Sequence, residues 1–350
     1  MNFTAVTYAL ASAALFGVST PFAKMLLGSI HPGILAGLLY CGAGVGSALL
    51  RWGRNVLSSS SVQEAALTRS ELPWLAGAII AGGVVGPILL LIGLSRTDAS
   101  TASLLLTLEG AATALMAWFI FHESFDRRIA FGMLCLTAGA AVLSWSGSPT
   151  LESVIGPLAV IGACIAWGID NNLTRKVSLS DPLQIVALKG VIAGPINLLL
   201  GFAAGGTLPD LLPGLLAAII GFLCYGVSLA LFVLALRHLG TARTAAYFST
   251  APFLGTVVAV ITFHEAVTVE LIVAGAFMAM GVWLHVTERH EHEHVHRAQT
   301  HSHPHVHDET HRHSHQPDDP AGEPHTHPHA HEPLRHSHPH VPDMHHQHRH

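Results

Sequence analysis

The C-terminal segment, residues 288–350, carries the densest potential for chemistry in this sequence. It contains 22 of the 27 histidines, and over long stretches histidine alternates with another residue, as in HSHPHVH at 301–307. Neutral imidazole is a good ligand for Zn²⁺, Ni²⁺, Cu²⁺ and Co²⁺. His-x-His spacing in a flexible chain lets several rings reach one ion, and the interspersed Asp and Glu residues add oxygen donors. The pattern therefore predicts divalent-metal binding.

The predicted metal ligands are the alternating histidines of this tail: His290, His292, His294, His296, His301, His303, His305, His307, His311, His313, His315, His325, His327, His329, His331, His336, His338 and His340. A second role stays open, because 22 groups with an ordinary pKa near 6.5 also make a pH-sensitive solvating tail. The tail has no aromatic and few aliphatic residues, so it cannot bury enough surface to offset the entropy of ordering. We therefore expect it to be disordered, and we expect no required cofactor elsewhere.

Ionisable residues inside apolar stretches are the second source of chemistry. A charge within a membrane span costs several kcal/mol unless it faces a cavity or a partner, so such residues are functional candidates. Glu109 lies about halfway along its apolar segment. A desolvated carboxyl there can carry a proton or bind a cationic group of a substrate. The alternative is a protonated or hydrogen-bonded Glu that only joins helices.

Asp170 and Lys189 lie at comparable depths from the same end of neighbouring segments, which permits an ion pair. Such a pair either lines a binding site or fixes helix register, and Lys189 could instead extend to the headgroups. Four further candidates for the substrate site are polar or aromatic residues inside apolar segments: Asn171, Trp167, Asn197 and Thr107. Of these, Asn197 and Thr107 are weaker, because small polar residues often only bridge helices.

These residues are positioned by strongly apolar helices. The chain is 50% hydrophobic and 11% charged, against about a quarter charged in soluble domains, which excludes an ordinary soluble enzyme. A bilayer core needs roughly 20 apolar residues per helix. Ten segments meet this requirement, which we number spans 1 to 10: 3–23, 33–50, 73–93, 99–121, 129–146, 154–174, 183–203, 211–236, 242–263 and 268–287. The predicted fold is an all-α integral membrane protein.

Lys and Arg in the joints between spans predict the orientation, since positively charged loops stay cytoplasmic. One set of joints holds nine of these residues: Arg51, Arg54, Arg69, Arg127, Arg128, Arg175, Lys176, Arg237 and Arg243. The other set holds only Lys24 and Arg96. Both termini are therefore predicted to lie in the cytoplasm, with the chain in the cell inner membrane. Residues 1–287 carry 12 basic and 12 acidic side chains, so no basic arm indicates nucleic acid.

The sequence also repeats itself. An offset of 142 aligns residues 104–123 with 246–265 and superposes the two His-Glu pairs, at His122 and at His264. The repeated unit contains five spans, and because five is odd the second copy must enter from the opposite side, as in the inverted repeats of many secondary transporters. Three domains are predicted: a first five-helix repeat at 1–147, a second at 148–287 and the His-rich tail at 288–350.

Several motifs resemble the EamA-type family of the drug/metabolite transporter superfamily. They are Phe16-Gly17 in span 1 and Trp167-Gly168 in span 6, GLSRTDASTAS before span 4, LLLTLEG within it, and an acid closing spans 4 and 9. Gly110 stands where the family often has Pro, and Tyr40-Cys41 where span 2 often carries Arg. The resemblance implies transport of metabolites or drugs and leaves the substrate open.

Together these observations predict a secondary transporter rather than an enzyme, since no span shows a nucleophile with a base at helical spacing. The expected cargo is a small polar organic metabolite or drug, moved by alternating access and exported with proton coupling through Glu109. The alternative is a divalent-metal carrier (Ni, Co or Zn) with the tail as a loading, sensing or buffering element. Expected partners are the lipid bilayer, a small-molecule substrate and metal ions at the tail, with the protein a monomer or a homodimer.

Overall fold

The computed structural model describes residues 3–57, 64–121, 127–144, 151–287, 291–295, 299–305, 325–331 and 335–339. Described residues from 3 to 287 form helices joined by short turns. The first repeat contains α1 Phe3–Gly17, α2 Ser19–Leu27, α3 Pro32–Leu57, α4 Leu72–Ala78, a π-helical segment Ile79–Val85, α5 Gly86–Ser95, α6 Ala99–Leu105, α7 Leu108–Phe121 and α8 Arg127–Ser144. The second contains α9 Leu151–Arg175, α10 Pro182–Ala203, α11 Leu211–Ile220, a π-helical segment Gly221–Val227, α12 Ser228–Phe248, α13 Ala251–Phe263 and α14 Val269–Val286.

The structure confirms part of the predicted ten-span arrangement. Among the described residues, 8 helices are long and apolar enough to cross a bilayer, by length and composition. They correspond to spans 1–4 and 6–9. The apolar parts of α8 and α14, Ala130–Ser144 and Val269–Leu284, are shorter than the roughly 20 residues that a hydrocarbon core requires. The structure thus confirms a multi-pass helical membrane protein and leaves spans 5 and 10 as short apolar helices.

The described parts of the tail are extended. They form β1 Glu291–Val295, β2 Gln299–His305, β3 His325–His331 and β4 Arg335–Pro339, which pair antiparallel as β1 with β4 and β2 with β3. Alternation of histidine with other residues has the two-residue period of a strand, and antiparallel pairing satisfies the peptide groups of alternate residues in both strands. The expectation of disorder therefore does not describe these four segments. The rest of the tail lies outside the described residues.

The two halves pack through reciprocal pairs of spans. Span 2 lies along span 7 (α3 with α10), span 4 along span 9 (α6 with α13) and α8 along α14. Span 1 packs on span 8 (α1 with α12), and span 3 packs on span 6 (α5 with α9). Small residues allow the closest approach, since a Cβ added at Gly44 in span 2 would lie 2.9 Å from Cα of Gly190 in span 7. Such contacts suit membrane helices, whose association depends on close packing.

Several spans are interrupted at mid-depth. The π-helical segments Ile79–Val85 and Gly221–Val227 interrupt spans 3 and 8, and their residue numbers differ by 142. Span 4 breaks at the turn between α6 and α7, and span 9 breaks between α12 and α13. Inside α12, Gly240 adopts a φ of 74° and separates span 8 from span 9. Breaks within a span leave backbone groups without helical partners, which is tolerated only where other protein groups or a cavity satisfy them.

Candidate functional site

Glu109 lies in the first turn of α7, directly after the break in span 4. It is buried, with 7% of its surface exposed, and its Oε1 accepts a hydrogen bond of 2.9 Å from Nδ2 of Asn171. The same amide nitrogen donates to Oγ1 of Thr113 at 3.1 Å. Within the described part of the chain, Oε2 accepts no hydrogen bond. Glu109 is therefore held in place through one oxygen only. Its position at the start of a helix also favours a negative charge.

Asp170 and Lys189 form a buried ion pair between spans 6 and 7. Nζ of Lys189 lies 2.5 Å from Oδ1 and 2.8 Å from Oδ2 of Asp170, and it donates to Oγ1 of Thr174 at 3.2 Å. Lys189 is 1% exposed, so it does not extend to the headgroups, which was one of the alternatives considered from the sequence. The pair satisfies both charges and leaves the lysine ammonium no unused proton.

The first π-helical segment supplies two carbonyl groups to neighbouring spans. The carbonyl of Gly82 accepts from Nε1 of Trp167 at 3.0 Å and from the hydroxyl of Tyr40 at 2.6 Å. The carbonyl of Gly83 accepts from Nδ2 of Asn197 at 2.8 Å. A π-helix shifts the usual hydrogen-bond pattern and occurs often at functional sites. Here it ties spans 2, 6 and 7 to span 3.

A partly open cavity lies between the two halves, with about 580 Å³ of empty space when its open part is included. Five of the seven predicted substrate residues line it: Glu109, Asp170, Asn171, Lys189 and Trp167. The other two lie outside its lining. Asn197 bridges to the Gly83 carbonyl, and the Thr107 hydroxyl donates to the carbonyl of Leu104 in its own span. The structure thus brings the charged candidates together, gives Asn197 a bridging role and leaves Thr107 with a hydrogen bond inside its own span.

Six aromatic residues form much of the cavity wall: Phe16, Tyr40, Trp167, Tyr225, Phe232 and Phe248. The ring of Phe16 is central, with centroid distances of 5.6 Å to Trp167, 5.7 Å to Tyr225 and 5.2 Å to Phe248. Phe16 and Trp167 belong to motifs visible in the sequence. Tyr225, Phe232 and Phe248 were missed, because an aromatic residue in a uniformly apolar helix looks the same whether it faces lipid, protein or a cavity.

A second polar cluster lies outside the cavity, where span 2 ends and span 7 begins. Oδ2 of Asp181 lies 2.8 Å from Nε of Arg51 and 2.5 Å from Nη2 of Arg54. Burial would raise the pKa of Asp181, but hydrogen bonds and charge from Arg54 and Arg51 outweigh burial and hold this pKa below its ordinary value. The carboxylate therefore stays ionised and joins the two repeats.

Neighbouring joints add to this cluster. Arg237 lies 3.1 Å from Oε2 of Glu64 and donates to the carbonyls of Ser178 and Ser180.

In a separate contact, the Glu265 carboxylate accepts from the backbone N–H groups of Ala99 and Ser100, each at 2.9 Å, and so caps α6. The repeated acid at 265 thus caps a helix of the other repeat. Its counterpart in the pair His122-Glu123 lies outside the described residues.

The next question is where a metal ion could bind. The described residues contain no group of three or more His, Cys, Asp or Glu side chains that could hold an ion. Of the predicted tail ligands, seven lie outside the described residues: His290, His296, His307, His311, His313, His315 and His340. The others lie on β1 to β4, where only the backbone is described.

Buried charges and an aromatic-lined cavity between two packed halves of a multi-pass helical bundle are typical of membrane transporters. Comparison with known families gives its class: the EamA-like transporter family matches at residues 3–145 and again at 154–287. The chain belongs to this family. Membership points to transport rather than catalysis.

Individual relatives agree with this assignment. An uncharacterized transporter of Methanothermobacter thermautotrophicus is 27% identical over 283 residues, covering 77% of this chain and 82% of that protein. A probable 4-amino-4-deoxy-L-arabinose-phosphoundecaprenol flippase subunit, ArnE, of Pseudomonas paraeruginosa is 38% identical over 79 residues, covering 23% of this chain and 66% of that protein. A solved crystal structure superposes with a TM-score of 0.62 at 18% identity, covering 80% of this chain and 94% of that one. This last likeness concerns the fold alone.

Proposed function

We propose that this protein is a secondary transporter that exports a small organic metabolite or drug through the cavity by alternating access. The observation that carries the proposal is the position of Glu109, a buried carboxylate on the cavity wall beside a break in its span. Discontinuous helices at mid-membrane are typical of substrate sites in secondary transporters. The flippase name of the ArnE relative also fits an organic cargo.

Alternating access rests on ten spans arranged as two inverted repeats. Support comes from the two π-helical segments, whose positions differ by the same 142 residues as the repeated sequence. The packing is also reciprocal: exchanging the repeats converts the contact of span 1 with span 8 into that of span 6 with span 3. In this proposal α8 and α14 complete the two repeats, and the halves rock about the cavity.

The proposed orientation places both termini in the cytoplasm and the protein in the cell inner membrane. It rests on the nine-to-two distribution of Lys and Arg between the two sets of joints. The Arg51–Asp181 and Arg237–Glu64 contacts then belong to the cytoplasmic end. Proton coupling is assigned to Glu109, since a cavity-facing carboxyl can take up a proton from one side and release it to the other.

The test compares the metabolites of cells and medium by mass spectrometry, with the wild-type protein, Glu109→Gln and a control. Glu109→Gln removes the titrating group with little change of shape, so the cargo should accumulate in the cells and fall at least roughly ten-fold in the medium, which corresponds to about 1.4 kcal/mol. Glu270→Gln makes the same chemical change at an exposed position at the start of α14 and should behave as wild type.

Identical metabolite profiles for wild type, Glu109→Gln and cells without the protein would refute the transport proposal. Elemental analysis of the same cells tests the alternative of a Ni, Co or Zn carrier. A change in metal content that requires Glu109 would favour that alternative, for which the described spans offer no ligand cluster.

We also propose that the tail binds divalent metal. In the two strand pairs the register places histidine opposite histidine at five positions: His292 with His338, His294 with His336, His301 with His329, His303 with His327 and His305 with His325. Residues directly opposite in an antiparallel pair have Cα atoms roughly 4.5–5.5 Å apart. This register would let two strands contribute imidazoles to one ion, which supports a metal-binding tail beside the transport cavity.

A further inference from the structure

We infer that the cargo is an organic cation whose charge is attached to an aromatic or other apolar body. This inference deepens the proposed transport function and rests on it. It follows from which polar groups of the cavity are already paired and which are left for a ligand.

Hydrogen-bond donors that could recognise an anion are in use. Both protons of the Asn171 amide are directed to Glu109 and Thr113, and the Lys189 ammonium is directed to Asp170 and Thr174. An incoming anion would therefore find neither the Lys189 ammonium nor the Asn171 amide free to replace its hydration.

Three further polar side chains of the wall are paired as well. Trp167 and Tyr40 both donate to the Gly82 carbonyl, and the Ser228 hydroxyl donates to the carbonyl of Ser12 at 2.9 Å. Tyr225 is the exception, since its buried hydroxyl makes no hydrogen bond with any described residue. Trp167, Tyr40 and Ser228 therefore meet a ligand through their apolar surfaces.

An acceptor, by contrast, remains available. Oε1 of Glu109 accepts from Asn171, whereas Oε2 accepts no hydrogen bond from any described residue. Asp170 is neutralised by Lys189 at 2.5 Å. Ionised Glu109 therefore gives the cavity one negative charge in excess, and a ligand cation would balance it while satisfying Oε2.

Aromatic faces supply the second half of the recognition. Phe16, Tyr225, Phe248 and Trp167 surround one volume with ring-centroid spacings of 5.2–5.7 Å around Phe16, and Phe232 continues the wall at 5.0 Å from Phe248. Aromatic faces attract cations within about 6 Å of the ring centroid, and the attraction is strongest where water is excluded. They also bury the apolar body of the same ligand.

The Asp170–Lys189 pair also bears on the charge of the cargo. A zwitterion is disfavoured, because the Lys189 ammonium, which could balance its carboxylate, is already paired with Asp170.

The experiment titrates three probes that share a phenyl ring into the purified full-length protein by isothermal titration calorimetry. They are phenethyltrimethylammonium, which is a permanent cation, phenylalanine, which is a zwitterion, and 3-phenylpropionate, which is an anion. We expect the cation to bind at least ten-fold more tightly than the other two. Glu109→Gln should weaken it at least ten-fold, whereas Glu270→Gln should not change it.

Two further variants separate charge recognition from misfolding. Glu109→Asp retains the charge and should recover part of the cation affinity that Glu109→Gln loses. Phe248→Leu keeps the charge of Glu109 and removes one aromatic ring. It should weaken binding of the cation by roughly three- to thirty-fold, which is the range of a cation–π contact. Circular dichroism and gel filtration establish that each variant is folded.

Equal or tighter binding of phenylalanine or 3-phenylpropionate would overturn the inference, as would cation binding that Glu109→Gln leaves unchanged, or no binding of any probe. These results are distinct from failure of the transport proposal, which the metabolite comparison decides. If the protein exports an anion and this export depends on Glu109, the transport proposal stands and the inference of a cationic cargo fails. If the cation binds but the metabolite profiles are unchanged, the inference about binding stands and the transport proposal fails.

Discussion

The side-chain amide of Asn171 donates across 2.9 Å to Oε1 of Glu109 and so connects span 6 to span 4. The preceding residue, Asp170, pairs with Lys189 of span 7. The side chains of consecutive residues in a helix point about 100° apart. Asp170 and Asn171 therefore contact different spans. Span 6 therefore contacts both Glu109 and Lys189, the charged residues that spans 4 and 7 bring to the cavity.

Replacing Asn171 should weaken transport without abolishing it. Asn171→Leu has a similar volume and leaves Glu109 without its donor, at a cost of about 1.5–3 kcal/mol for a hydrogen bond to a charged group. Export should fall by roughly ten- to a hundred-fold per folded molecule, less than for Glu109→Gln. Asn197→Leu serves as the control, because its amide bonds the Gly83 carbonyl outside the cavity lining. Equal transport losses in both variants would contradict the positioning role.

Removing one member of the Asp170–Lys189 pair should be worse than removing both. Asp170→Asn or Lys189→Met leaves a lone buried charge, which costs about 3–5 kcal/mol, whereas the double variant leaves none. Thermal unfolding of the four proteins in detergent gives the coupling between the two sites. Additive losses in the double variant would show that the two side chains act separately.

Acid should weaken the contact between Asp181 and its arginines. Because the folded-state pKa of Asp181 lies below the ordinary value of 3.8, its contribution to stability is complete above the unfolded-state pKa and is lost as the pH falls toward the folded-state pKa. Asp181→Asn should lower the melting temperature at neutral pH and make its dependence on acid shallower. Asp210→Asn is the matched control, since Asp210 precedes α11 but its side chain makes no cap hydrogen bond. Parallel pH profiles of wild type and Asp181→Asn would refute this role.

The inverted repeat predicts the sidedness of the joints. Reporter fusions after Arg128 and after Ser148 should report opposite sides of the membrane, and a fusion after Thr287 should agree with the one after Arg128. The reason is that a five-span unit returns on the other side each time it is used. If the first two fusions report the same side, the topology is wrong.

Truncation after Thr287 should separate transport from metal binding. The spans satisfy their own backbone hydrogen bonds, so the shortened protein should keep its fold and much of its transport. Tight binding of Ni²⁺ or Zn²⁺, measured by calorimetry, should be lost from it and retained by the isolated peptide 288–350. Undiminished metal binding by the truncated protein would place the metal site elsewhere.

The sequence alone indicated a membrane protein, its helical segments and its family. It also placed Asp170 and Lys189 at comparable depths in neighbouring spans. These properties do not depend on how the helices pack. The length of an apolar run and the cost of a charge inside it depend on neighbouring residues, and the offset of 142 comes from comparing the sequence with itself. Glu109 stood out for the same reason, since a single carboxyl in an apolar span requires an explanation wherever the span lies.

Only the tertiary structure decided which apolar residues face the cavity. In a span that is hydrophobic on every side, no periodicity distinguishes Tyr225 or Phe248 from residues that face lipid, because lipid and protein interior are equally apolar. The Gly82 carbonyl accepts hydrogen bonds from Trp167 and Tyr40 because it lies in a π-helical segment. No residue pattern in the sequence predicted this segment. Asp181 met Arg54 across 127 positions of sequence, and that contact follows from how spans 2 and 7 pack, which is a property of the assembled bundle and of neither span alone.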